Sequence, residues 1–166
     1  MEHLVVVEGE SDKGFVYGLA ERLGVKVKVL KMRGNRPDKV VRIVRAELAN
    51  QKYSKVIVLK DQHDTSEDVV RRKLQEIKAQ IKGHRIHTIM VRRAIEAWML
   101  AGMGISNAES IEKPDEYLNI LFRREGRGGY VKSFQKAKQL AKKIKLQEAK
   151  NYSPTLKQFI DTLQDP

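Results

Sequence analysis

Cysteine is absent from this sequence of 166 residues. Its absence excludes disulfide bonds, thiolate metal sites and cysteine nucleophiles. Aromatic residues make up only 6% of the chain, and no apolar run approaches the roughly 18 residues that a membrane-spanning helix needs. The chain also opens without a signal-peptide pattern. We therefore expect a cytoplasmic protein with no membrane partner.

Acidic residues are scarce relative to basic ones. The chain has 33 Lys and Arg against 21 Asp and Glu, which gives a net charge of +12. An excess of this size favours a polyanionic partner, with nucleic acid first. The excess is concentrated between Arg123 and Lys150, a segment with ten basic residues and two acidic ones. Abundant Lys, Glu and Arg without Cys is also typical of thermophile proteins.

Apolar periodicity predicts alternating strands and helices up to residue 101. The predicted strands are 4–7, 25–30, 55–59 and 85–91. A helix is predicted after each strand, over residues 11–23, 37–50, 66–82 and 92–101. This alternation predicts a four-stranded parallel sheet with right-handed crossovers, flanked by helices. Ser11 is the predicted N-cap of the first helix, and Gly24 is its predicted C-terminal residue.

The remainder of the chain shows no convincing strand pattern. Three helices are predicted there, over residues 116–122, 131–146 and 155–163. We therefore divide the chain into an α/β domain, residues 1–101, and a basic helical C-terminal extension packed on it, residues 102–166. Trp98, which lies among apolar neighbours, is predicted to belong to the core.

Acidic side chains fall where three of the predicted strands end. Glu8 follows the first strand, Asp61 and Asp64 follow the third, and Glu96 follows the fourth. Parallel strands bring their carboxyl ends to one edge of a sheet, so these carboxylates could converge. Carboxylate oxygens are the ligands that Mg²⁺ or Mn²⁺ requires. The alternative is that each acid is solvated or caps a helix, as Asp64 could before Thr65.

Three short segments resemble one family. The Glu8-Gly9 turn, the Asp-rich turn at Asp61 and the position of Glu96 resemble the Toprim domain of topoisomerases, primases and OLD-family nucleases. Residues 7–15, 94–101 and 153–159 are similar to a small stand-alone branch of prokaryotic proteins with this fold. The resemblance implies a Toprim-like, Rossmann-like α/β fold for the first domain.

The resemblance also implies roles for individual residues. Glu8 would be a general acid/base or metal ligand, and Asp61 would be a metal ligand. The family's second metal-binding Asp lies two residues after the first, where this chain has His63, with Asp64 one residue later. Either His63 or Asp64 substitutes, or the metal site is weakened. Glu96 completes the acidic edge.

Basic residues near this edge and in the extension are predicted to bind phosphates. Arg92 and Arg93 follow the fourth strand, and the Lys-rich helix 131–146 is predicted to be a track for the nucleic-acid backbone. The glycine-rich segment 126–130 is interpreted as a loop over the substrate. The predicted nucleic-acid-binding residues are Arg92, Arg93, Arg123, Arg124, Arg127, Lys132, Lys136, Lys142 and Lys143.

Together these observations predict a small Mg²⁺- or Mn²⁺-dependent nuclease of weak sequence preference, with Glu8 and Asp61 as its catalytic residues. Its partner would be DNA or RNA, and a homodimer is compatible with this prediction. One alternative is a Toprim-like module that binds nucleic acid without catalysis. Another is a receiver-like phospho-acceptor domain with Asp61 as the acceptor, although the pattern supplies no fifth strand with a Lys.

Overall fold

Four parallel strands form one sheet in the computed structural model, which describes residues 2–34 and 36–166. The strands are β1 (His3–Val7), β2 (Val27–Lys31), β3 (Val56–Asp61) and β4 (Ile86–Val91). Their order across the sheet is β2-β1-β3-β4, so β1 and β3 occupy the centre. The predicted α/β class and the four-stranded parallel sheet flanked by helices are confirmed.

Helices follow every strand and make up the rest of the fold. They are α1 (Glu10–Leu23), α2 (Pro37–Asn50), α3 (Glu67–Gln80), α4 (Ile95–Gly102), α5 (Pro114–Arg124), α6 (Phe134–Lys143), α7 (Leu146–Tyr152) and α8 (Pro154–Gln164). A single 3₁₀ turn, Ala108–Ser110, precedes α5. The predicted alternation of strand and helix up to residue 101 is confirmed.

Three local predictions are wrong. The predicted helix 92–101 begins only at Ile95, because Arg93 has left-handed backbone (φ 66°). The predicted helix 131–146 begins only at Phe134 and ends at Lys143, because Ile144 has extended backbone and the N–H of Lys145 donates to Gly102 O (3.0 Å). Ser11 is not the N-cap of α1, which begins at Glu10 with Gly9 as its cap. Gly24 does end α1, in the left-handed conformation that glycine favours (φ 69°).

The sheet separates two buried clusters because successive strand residues point to opposite faces. Leu4, Val6, Val56 and Val58 pack with α2 and α3 on one face. Val5, Val7, Ile57 and Leu59 pack on the other face with α1, α4 and the helices after residue 101. The C-terminal helices therefore share one continuous core with the sheet.

Trp98 of α4 lies at the centre of this second cluster, as predicted, with its side chain fully buried. Its ring stacks on Phe159 of α8 (5.5 Å between centroids) and tilts against Phe15 of α1 (6.0 Å). Its indole N–H donates to Thr155 Oγ1 (2.9 Å). Trp98 thus connects the first helix of the chain to the last.

Two glycines bring α1 into close contact with α6. A Cβ atom at Gly14 would lie 2.1 Å from Phe134 O, and one at Gly18 would lie 2.5 Å from Lys138 O. These neighbours are backbone atoms, which cannot rotate away as a side chain could. The two helices therefore pack at a distance that only glycine permits at these positions.

Within the described residues, strand β2 pairs with β1 alone and forms one edge of the sheet. A side chain covers part of this outer edge. The backbone N–H of Val29 donates to the hydroxyl of Tyr17 on α1 (3.1 Å). The Tyr17 ring in turn packs against Phe134 of α6 (6.0 Å between centroids).

Among the described residues, no helix has both the length and the apolar character needed to cross a membrane.

Gly18→Ala should lower the free energy of unfolding by about 1 to 3 kcal/mol, because the added methyl group meets the backbone of α6. Alanine would otherwise favour the helix by about 1 kcal/mol. Urea denaturation of the purified variant measures the change. Ser11→Ala, in the first turn of the same helix, is the control and should change the value by less than about 0.5 kcal/mol. An unchanged or higher stability of Gly18→Ala would contradict the close contact.

Candidate functional site

The candidate site lies at the carboxyl edge of the two central strands. Glu8 directly follows β1, and Asp61 is the last residue of β3. Val6 pairs with Val58 in the parallel register, and this register places Glu8 beside the end of β3. The prediction that Glu8 and Asp61 meet at one edge therefore follows from the strand order, and the structure brings the two residues together.

Glu8 is held by two donors from β3. Its Oε2 accepts the backbone N–H of Asp61 (2.8 Å), and its Oε1 accepts from Lys60 Nζ (3.2 Å). Lys60 is buried, with its side chain 7% exposed, and that of Glu8 is 15% exposed. Sequence reasoning missed Lys60, although a lysine at an otherwise apolar strand position next to Asp61 is a signal that could have found it.

His63 completes a group of three side chains that could hold a metal ion. Its Nε2 lies 3.6 Å from Asp61 Oδ2 and 3.9 Å from Glu8 Oε2. One ligand atom from each of the three residues lies within 4.8 Å of the others. Of the two alternatives for the second metal-binding position, the structure brings His63 to the acidic pair, while Asp64 lies outside this group.

Asp12 is a second buried acid that sequence reasoning missed. It lies in the first turn of α1, is 7% exposed, and accepts the backbone N–H of Gly9 through Oδ2 (3.0 Å). An acid three residues after a helix cap is the expected place for this bond. The sequence does not reveal this bond when Ser11 is the predicted cap, because the cap in the structure is Gly9.

Glu96 lies in the first turn of α4, near enough for its charge to act on Asp61 and Asp12. It is 2% exposed, and its Oε2 accepts the hydroxyl of Tyr130 (2.8 Å). The backbone N–H of Tyr130 donates to Asn119 Oδ1 (2.9 Å), which fixes the loop that carries it. Nothing local in the sequence connects Tyr130 to Glu96. Glu96 itself lies outside the group of three that could share an ion.

These acids are buried and lie near one another, and both effects change their pKa values. Burial, with the negative charges of Asp12, Glu8 and Glu96, raises the pKa of Asp61 well above its ordinary value. Burial and Glu96 raise the pKa of Asp12 to about 7. Burial and Glu96 also raise the pKa of Tyr130, which keeps its hydroxyl protonated as a donor.

The loops after β3 and β4 are joined where they approach the site. The N–H of His63 donates to Arg93 O (2.7 Å), and the N–H of Arg93 donates to Gln62 Oε1 (3.2 Å). His63 (φ 49°) and Arg93 (φ 66°) both have left-handed backbone, which is unfavourable for residues other than glycine. Such strain is often found at functional sites.

A cleft of about 130 Å³ opens beside these loops. It connects the acidic edge with the start of α5 and with the loop before α6. Its lining includes His63, Asp64, Arg93, Glu96, Lys113 and Lys132. Asp64 is exposed at this cleft, and the N-cap of α3 is Ser66, whose hydroxyl accepts the N–H of Val69 (3.4 Å).

The predicted phosphate-binding residues occupy different surroundings. Arg92 forms ion pairs with Glu67 and Glu109 (3.5 Å to the latter), so it joins α3 to the 3₁₀ turn. Arg93, by contrast, lines the cleft. On α6, Lys142 pairs with Glu21 of α1 (3.2 Å). Lys138 of the same helix also pairs with Glu21 (3.7 Å), so two lysines of α6 have an acidic partner in a distant helix, which the local sequence does not show.

The remaining basic residues of the predicted set lie around α5, the following loop and α6. Arg127 lies over the ring of Phe122 (4.0 Å to the centroid) and pairs with Glu125 (3.1 Å). Lys132 lies 3.9 Å from Asp115. The exposed members of the predicted set are Arg123, Arg124, Arg127, Lys132, Lys142 and Lys143, and Lys136 is half-buried.

Comparison with known proteins adds no family assignment. No protein-family model, no curated protein and no solved structure matches this chain. The Toprim resemblance remains a prediction from the sequence, and the chemistry of the site must be argued from its own residues.

Asp12→Asn should stabilise the metal-free protein at neutral pH. The pKa of Asp12 is about 7 in the folded chain and about 4 in an unfolded one. The folded chain therefore binds more protons between these values, and its free energy of unfolding falls as the pH rises through this range. Asparagine does not titrate, so the variant does not lose this stability as the pH rises. Its side-chain oxygen can still accept the Gly9 N–H.

Urea denaturation in EDTA at about pH 5 and pH 8 measures the effect. The gain from Asp12→Asn should be larger at pH 8 by at least about 1 kcal/mol. The control is Asp68→Asn, an exposed acid of α3, whose effect should be the same at both pH values. Equal gains from Asp12→Asn at both pH values would contradict the electrostatic interpretation.

Proposed function

We propose that this protein is a Toprim-like, metal-dependent nuclease that cleaves phosphodiester bonds in nucleic acid with weak sequence preference. The observation that carries the proposal is the convergence of Glu8, Asp61 and His63 at the carboxyl edge of the two central strands, where the charges of Asp12 and Glu96 also act on Asp61. The net charge of +12 supports a nucleic-acid substrate.

The donor set fits a divalent cation such as Mg²⁺ or Mn²⁺. Four buried or partly buried carboxyl groups share one region with a single buried ammonium group, that of Lys60. Burial, together with the negative charge of neighbouring acids, raises the pKa of Asp12 and of Asp61. Glu8, Asp61 and His63 would hold the ion. When bound, such an ion polarises the phosphodiester and stabilises the attacking and leaving oxygens.

The chain's own residues have separable roles in this proposal. Glu8 is fixed as an acceptor by the Asp61 N–H and Lys60, so it is the candidate to accept a proton from an attacking water. Burial and the neighbouring carboxylates raise the pKa of Asp61, so it binds a proton more readily than an exposed aspartate when no ion is bound. Arg93 lines the cleft and can hold a substrate phosphate. Phosphate contacts carry little sequence information, and for this reason we propose weak sequence preference.

The Lys60–Glu8 ion pair favours the non-catalytic module as a second candidate. The ammonium group lies 3.2 Å from Glu8 Oε1 and already supplies a positive charge there. With His63 in place of the family's second Asp, such a site could bind nucleic acid without cleaving it. The receiver-like alternative gains no support, since the sheet of the described residues has four strands.

Cleavage of labelled single- and double-stranded DNA and RNA with Mg²⁺ or Mn²⁺ tests the proposal. Glu8→Gln and Asp61→Asn should each lower the rate at least about 100-fold, because each removes a ligand charge from the site. Asp68→Asn, on exposed α3, should keep the rate. Metal-dependent cutting that survives both site variants would contradict the proposed site. Binding without cutting of any substrate would favour the second candidate.

Thermal unfolding tests metal binding independently of activity. Mg²⁺ at about ten times its dissociation constant should raise the Tm of the wild type by roughly 3 to 6 °C. The increase should grow as the pH rises, because the raised pKa of Asp61 makes protons compete with the ion for this carboxylate. Asp61→Asn should abolish the increase. An equal increase in this variant would place the ion elsewhere.

His63→Asp should strengthen Mg²⁺ binding about 10-fold or more, because a carboxylate suits this hard cation better than imidazole. It also restores the spacing that the Toprim resemblance implies. The left-handed backbone at His63 (φ 49°) is one that Asp tolerates. Isothermal titration measures the affinity, with His84→Asp, on the loop before β4, as the control. Weaker Mg²⁺ binding by His63→Asp would contradict a ligand role for this position.

A further inference from the structure

We propose that the outer face of α5 and the loop that follows it bind a single strand of nucleic acid and lead it to the cleft beside Glu96. The proposal rests on the proposed function and adds the form of the substrate. The strand-binding surface is defined by Tyr117, Ile120, Arg123, Arg124, Val131 and Lys132.

Exposed apolar side chains are concentrated on this surface. Tyr117 is 38% exposed, Ile120 is 50% exposed and Val131 is 64% exposed. Within the part of the chain that the structure describes, only one other large apolar side chain, Val69 of α3, is similarly exposed. Leu118 on the inner face of α5 is fully buried, so the exposure of Tyr117 and Ile120 is a property of the outer face.

Positive charge accompanies these apolar groups. Arg124 lies seven residues after Tyr117 and four after Ile120, a spacing that places all three on one side of the helix. Arg123 is the adjacent exposed residue. Among the described residues neither arginine pairs with a carboxylate, although Arg127 pairs with Glu125. Two arginine charges are therefore available to a phosphate backbone.

The strand-binding surface continues to the candidate site. The segment 129–132 runs antiparallel to α5, because Tyr130 N–H donates to Asn119 (2.9 Å) while Lys132 lies 3.9 Å from Asp115. Tyr130 then reaches Glu96 with its hydroxyl (2.8 Å). Lys132 and Glu96 line the same cleft, together with Glu112 and Asp115, so the surface meets the acidic edge at Lys132.

The chemistry of the surface favours a single strand over a duplex. Proteins that bind single strands combine cationic grooves with aromatic side chains on which bases stack. The bases of a duplex are stacked on one another and offer no free face to Tyr117. The carboxylates are also recessed, with Glu96 2% exposed at the side of a cleft of about 130 Å³. A separated strand can enter such a space more easily than a duplex can.

Fluorescence anisotropy in EDTA tests this proposal without any cleavage. The probes are labelled oligo-thymidylate and oligo-uridylate strands of about 12 nucleotides and a duplex of the same length. The wild type should bind both single strands about 10-fold or more tightly than the duplex. Tyr117→Ala should weaken single-strand binding about 5- to 100-fold, since stacking contributes about 1 to 3 kcal/mol per base.

Arg123→Ala combined with Arg124→Ala should also weaken binding, and should reduce the slope of log K against log salt by about 1.4, because two phosphate contacts are lost. The matched control is Arg71→Ala combined with Arg72→Ala on α3, which removes the same charge from another exposed helix. Ile120→Ala should also weaken single-strand binding, and Val69→Ala on α3 is its control. Urea denaturation establishes that every variant is folded.

The proposal would be overturned by duplex binding as tight as single-strand binding, by no effect of Tyr117→Ala, or by an equal effect of the α3 variants. A shift in oligomeric state by Tyr117→Ala with unchanged strand binding would assign the surface to protein contact and would also overturn it. Failure of the proposed nuclease is distinguishable, because it appears as absent Mg²⁺-dependent cutting and absent Mg²⁺ stabilisation while binding in EDTA persists.

Discussion

Repulsion between carboxyl groups held out of water is the interaction on which the candidate site depends. Asp12, Asp61 and Glu96 come from three separate elements, α1, β3 and α4, and each is at least partly buried. Their burial raises the pKa of Asp12 and of Asp61, and Lys60 compensates only part of the charge. The fold must hold these groups together against that repulsion. The buried contacts of Trp98 and the glycine contacts between α1 and α6 provide the required rigidity.

The arrangement also explains why the helices after residue 101 matter to a site that begins at Glu8. Helix α1, which carries Asp12, is pressed against α6, and Glu96 receives its hydrogen bond from Tyr130 in the loop between α5 and α6. The helical region therefore supplies one wall of the cleft. A site of this kind cannot be assigned to the sheet alone, although the sheet provides its central acids.

Much of the fold could be predicted from the sequence because β1 and β3 are short buried runs that end in acids. The same reasoning placed Glu8 and Asp61 at one edge. It could not find the break after Lys143, since Leu140 and Ile144 keep helical spacing and the break depends on a bond to Gly102. The bond between Tyr130 and Glu96, 34 residues apart, likewise has no local signal. The role of Asp12 can be predicted once Gly9 is recognised as the helix cap, because an acid three residues after the cap accepts its N–H.

The hydroxyl of Tyr17 has a consequence for how copies of this protein can associate. An exposed edge strand invites another strand to extend the sheet, which is a common route to aggregation. Here the Val29 N–H of edge strand β2 is already bonded to Tyr17, whose ring is held by Phe134. An incoming strand would have to displace that side chain before it could pair at Val29. The lysines at positions 28 and 31 of β2 add charge that opposes such pairing.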